Sequence, residues 1–193
     1  MLLECSYTGP CRGVTVARMA VDRTRTLRGA LAGVTAAAVW AAQQPIDRRV
    51  FGVEYDDAQL LGGLITRGRA GYPIGVGLHL LNGAVFGAAY ANLRSSLPAP
   101  APLRGPLAGL AEHLATWPGT VALARVQPDM PPLWGSGRAF AQATWRHLLF
   151  GAVLGEVERR LNPPDSEPRP VDAVTAASNG HGSAEHLVTI SPN

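Results

Sequence analysis

Four side chains are candidates for chemistry because of where they stand: His79, Glu112, His113 and His147 each interrupt a stretch that is otherwise apolar. An ionisable group among apolar residues is costly unless it is paired, hydrogen-bonded or turned toward a cavity. Gathered together, the four would make a polar cluster able to relay a proton, bind a small polar solute or hold a metal. Kept apart, neutral histidines and a protonated glutamate would act as hydrogen-bonding glue between helices, at roughly 0.6 to 2 kcal/mol per bond, which is the commoner use.

Other chemistries find less support. His79 and His147 could supply both axial ligands of a haem, but no further cytochrome feature accompanies them, so no cofactor is expected. Cys5 and Cys11 have no His or further Cys at ligand spacing, and no metal site is expected. No nucleophile is accompanied by a base and an orienting group. The acid pairs Asp56/Asp57 and Glu156/Glu158 read as solvated charges in connections or helix ends, and the chain reads as no enzyme. Arg146, beside His147, would differ in depth from Glu112 by about 9 Å at 1.5 Å per residue in antiparallel helices, so snorkelling to an interface is its expected fate. The basic residues are all arginine, as in proteins of GC-rich bacterial genomes, and they are scattered rather than striped with aromatics, which argues against nucleic acid as a partner.

The elements that would position the four candidates are apolar segments, each close to the twenty or so residues a bilayer requires. They are Gly29 to Ile46, ended by Gln43, Gln44 and Pro45; Ala70 to Leu93, charge-free and without a polar face; Gly105 to Ala124, carrying Glu112 and His113; and Ala139 to about Val157, carrying Arg146 and His147. The expected fold is all-α: a four-transmembrane-helix bundle with disordered termini. The connection from Asp47 to Arg69 predicts a short helix at the interface, and Pro128, Pro131 and Pro132 break the third connection. Trp134, Tyr72 and Tyr90 fit interfacial belts, whereas Trp40, Trp117 and Trp145 read as packing residues. Pro118 reads as a tolerated kink.

The chain also repeats itself. LRGALAG at 27–33 matches LRGPLAG at 103–109, six identities in seven at an offset of 76, and HLLNGAVFG at 79–87 matches HLLFGAVLG at 147–155, seven in nine at an offset of 68. The order of the matches predicts duplication of a two-helix unit, about 27–95 and 103–161. With two spans per unit the copies share one orientation, placing His79 and His147 at equal depth. Each segment carries one G-x-x-x-G pair at repeat-equivalent positions: Gly29 and Gly33, Gly83 and Gly87, Gly105 and Gly109, Gly151 and Gly155. In lipid that spacing lets backbones approach closely.

In LRGALAGVTAAAVWAAQQPIDRR, LHLLNGAVFGAAYANL, LRGPLAGLAEHLATWPGTVALARVQPDMPP and RHLLFGAVLGEVERRL, over about residues 27 to 161, the order of motifs resembles the YagU-like bacterial inner-membrane proteins. The resemblance implies a multi-spanning inner-membrane protein and transfers no catalytic residue. Outside it lie an N-terminal extension, 1–26, with Met19 as a possible true start, and a tail, 162–193, poor in large apolar residues and expected to be disordered, with His181 and His186 solvated. Arginines near the segment ends favour cytoplasmic termini by eight to six. The leading functional expectation is a structural or accessory membrane protein, partnered by the lipid bilayer and capable of homo-oligomers through its glycine faces. Alternatives are a small transporter or channel built around His79, His147, Glu112 and His113, and a soluble helical bundle.

Overall fold

The computed structural model describes residues 22–163 and is all-helical there; the start at Met19, the cysteines, residues 1–21 of the extension 1–26 and residues 164–193 of the tail 162–193 lie outside the described residues. Five α-helices occur in the order α1 (Arg23–Phe51), α2 (Asp57–Gly63), α3 (Gly71–Leu93), α4 (Ala101–Arg125) and α5 (Gly137–Leu161), with a 3₁₀ turn, Arg94–Ser96, after α3.

Helix α1 starts where the Asp22 carboxylate accepts from the Thr24 and Arg25 amides, so the last residues assigned to the extension are helical. It also passes through Pro45, where the sequence expectation had ended it. The reason lies two residues on: Asp47 is 2% exposed and takes partners from α5, a gain that outweighs the one backbone bond proline removes. The helix stops at Gly52, whose φ of 64° fits a left-handed cap, with its amide donating to the Arg48 carbonyl.

The four long helices alternate in direction. Gly29 of α1 meets Gly87 and Ala91 of α3, while Gly33 meets Gly83 and Gly87; Gly105 of α4 meets Gly151 and Gly155 of α5, and Gly109 meets His147 and Gly151. A methyl group on Gly33 would lie 1.9 Å from the Gly83 carbonyl oxygen, so these backbones touch directly. Helices α1 and α5 run antiparallel as well, joined near one end by Asp47 and Arg146 and near the other by Asn162 and Arg25. The short helix expected in the connection 47–69 is α2, which packs on α3.

The resulting ring is incomplete. Helices α3 and α1, α1 and α5, and α5 and α4 pack along their lengths, whereas α3 and α4 do not. Outward faces carry exposed Leu31, Val39, Leu81, Val85, Leu107 and Leu114. One stretch among the described residues, Gly71–Ser96, is long and apolar enough to cross a membrane, with a mean hydropathy of 1.4.

Candidate functional site

All four candidate residues reach one place. His79 from α3, Glu112 and His113 from α4 and His147 from α5 line a cavity of about 260 Å³ where α3 and α4 stand apart. Trp40 of α1, Asn82 of α3 and Thr116 and Thr120 of α4 share its wall, and Tyr55 and Asp57 close it toward the α1–α2 connection.

Hydrogen-bond inventory assigns the protons. His147 Nδ1 is 2.7 Å from the Ala143 carbonyl oxygen, which can only accept, so Nδ1 carries a hydrogen. His147 Nε2 lies 2.7 Å from Glu112 Oε2, and that contact needs a second proton, shared between imidazole and carboxylate. The Thr144 hydroxyl donates to the Phe140 carbonyl at 2.8 Å, so at 3.0 Å His113 Nε2 is the donor to Thr144 Oγ. His79 is buried, and its Nε2 has no partner; nor has the buried Nε1 of Trp40.

His79 and His147 do not face one another across open space. Each packs on the Trp40 indole, at 5.0 and 4.6 Å between ring centroids, an arrangement that leaves no room for one iron ligated by both. His147 is instead 4.7 Å from the His113 ring. Among the described residues, no group of three or more His, Cys, Asp or Glu side chains is placed to hold a metal ion.

Arg146 overturns the snorkelling expectation. Its side chain is wholly buried: Nε donates to Asp47 Oδ2 at 2.6 Å, Nη2 to Asp47 Oδ1 at 2.7 Å and to the Tyr55 carbonyl at 3.0 Å, and Nη1 to Asp57 Oδ2 at 2.8 Å. Gln142 adds a bond to Asp47 Oδ1 at 2.7 Å and Gln43 one to Oδ2 at 2.6 Å. The bidentate fork explains why this charge stays inside: a guanidinium that fills a carboxylate's lone pairs recovers much of its desolvation cost. Burial first, and then the Asp57 charge, hold the Tyr55 phenol well above its ordinary pKa, so it stays protonated and donates to Asp57 Oδ1.

The reading of the acid pairs as solvated is corrected with it. Asp57 belongs to this cluster, and the buried Asp56 caps α2 through the Ala58 and Gln59 amides and pairs with Arg48. Glu156 does lie at the surface with Arg159 and Arg160, but Glu158 is fully buried, 2.7 Å from Arg94. Asn162, assigned to the tail, is 2% exposed and bonds Glu158 and the Arg25 carbonyl. Tyr90, expected at an interface, is buried among core residues. Trp145, expected to pack, is 47% exposed and bonds Gln43 at 3.3 Å. Trp134 and Tyr72 are exposed.

No protein-family model, curated protein or solved structure matches the chain.

Proposed function

We propose that the chain is a bacterial inner-membrane protein of four spanning helices, two copies of a two-helix unit with cytoplasmic termini, that binds a small solute in the α3–α4 cleft as part of a transporter or channel. The observation that carries the binding role is the convergence of His79, Glu112, His113 and His147 from three helices on one cavity. The membrane setting draws support from the distribution of charge. Within 29–46, 70–93, 105–124 and 139–157 the charged side chains are Arg146, which is buried, Glu112, which is 24% exposed and paired in the cleft, and Glu156, at the last turn and paired with Arg159 and Arg160. Exposed charges such as Arg28, Arg49, Arg67, Arg125, Arg138 and Arg159 stand at the two ends. Helix α3, 23 residues long, spans about 34 Å, close to the roughly 30 Å of a hydrocarbon core.

An accessory role resting on packing alone is the second reading, favoured by the backbone contacts of the eight glycines. The double variant His79→Ala/His147→Ala separates the two. Retained abundance in carbonate-washed membranes with loss of solute binding or flux supports the site; loss of abundance supports packing. Release of the protein by the carbonate wash contradicts the membrane setting.

A further inference from the structure

We infer that the cavity takes a small organic ammonium ion bearing a hydrogen-bonding group, an assignment that rests on the cavity being a binding site.

Charge excludes an anion. Asp57 and Glu112 line the cavity and no arginine does. With the supporting cluster included, the carboxylates Asp47, Asp57 and Glu112 face one guanidinium, that of Arg146, and one proton shared with His147, which leaves one negative charge unbalanced. Wall chemistry disfavours an inorganic cation. Hard cations require several converging oxygens, whereas five of the nineteen lining residues here are aromatic: Trp40, Tyr55, Phe86, Trp117 and Phe150. Aromatic faces beside a carboxylate are the surroundings that favour an alkylated ammonium, whose diffuse charge is weakly hydrated and attracted to ring quadrupoles. The volume of about 260 Å³ lies below the usual range for drug-sized ligands, so the ion is small. Asn82 points to the second group: its carboxamide stands exposed in the cavity wall, where it can donate to or accept from a ligand hydroxyl.

The test is calorimetric titration of the full-length protein in detergent with choline and with 3,3-dimethylbutan-1-ol, its uncharged carbon isostere. Choline is expected to bind, with the isostere at least about tenfold weaker, as loss of a desolvated cation–π contact implies. Glu112→Gln should weaken choline by a similar factor, and Thr116→Trp, which fills the cavity, should abolish binding while a thermal melt verifies that each variant is folded. Should Glu112→Gln fail to fold, Trp117→Leu replaces it with the same expectation. Equal binding of choline and isostere overturns the ammonium assignment and leaves the binding site standing. Choline binding that survives Thr116→Trp overturns the location, and an absence of choline binding overturns the proposal; the histidine double variant then decides the fate of the site independently.

Discussion

The α1–α5 seam and the α3–α4 cleft hold corresponding places in the ring of helices, yet one is filled and tied by ions while the other stands open. The two sequence offsets, 76 and 68, pair residues that differ between the two regions. In the seam Trp40 and Phe150 pack 6.0 Å apart; the residues at the matching positions are Thr116 and Asn82, both exposed and both in the cavity wall. Asp47 and Arg146, the buried fork of the seam, correspond to Leu123 and Leu78, and the buried Glu158 corresponds to Tyr90. Conversely Glu112 of the cleft stands where α1 has Ala36. Trp40 and Phe150 thus close the seam while also lining the cavity, whereas Thr116 and Asn82 are too short to meet across the cleft. A bundle whose four helices alternate in direction can open one side in this way without losing the other three contacts.

Breaking the seam should have the largest effect. Arg146→Leu, which installs the cleft's residue, leaves the buried Asp47 and the half-buried Asp57 without their cation and should cost about 3 to 5 kcal/mol in unfolding free energy. The double variant Asp47→Leu/Arg146→Leu should recover most of that loss, because no unpaired charge remains. Loss of the ring in the same seam is next: Trp40→Thr, measured the same way, should cost about 3 to 4 kcal/mol from the cavity it creates. The glycine contacts should come third. Gly33→Ala forces a methyl against the Gly83 carbonyl and should destabilise by about 1 to 3 kcal/mol. Gly119→Ala, where a methyl meets nothing within 4 Å, should be neutral or stabilising by up to about 1 kcal/mol. The cleft should tolerate change best: Glu112→Gln, at a partly exposed ion pair, should shift thermal stability by about 1 kcal/mol or less while altering ligand binding.

Much of the architecture is legible in the residues. The apolar runs mark the long helices, and the glycine spacing marks the faces on which α1 meets α3 and α4 meets α5, because only backbone contact requires so small a residue at that period. The four ionisable interruptions mark the cavity. What escapes is whatever depends on a distant partner. Arg146 and Asp47 are 99 residues apart, and after Pro45 an aspartate followed by Arg48 and Arg49 looks like a polar helix end. Trp40, Asn82 and Thr116 escape for another reason: tryptophan reads as packing, while asparagine and threonine are ordinary in helices. The sequence matches at offsets of 76 and 68 held a usable signal, since positions 40/116 and 150/82, where a ring is exchanged for a small polar group, are among those that separate seam from cleft.

The central claim is that the cleft admits water and the seam does not. It is tested most directly by the rate at which a hydrophilic, membrane-impermeant maleimide labels single thiols placed by Thr116→Cys in the cleft and Ala36→Cys in the buried cluster that holds the seam's Trp40 and Phe150, with Cys5→Ser and Cys11→Ser in both proteins. Rapid labelling at position 116, with protection at the wholly buried position 36 until denaturant is added, is the expected result. Equal rates at the two positions, or protection of both, would contradict the account.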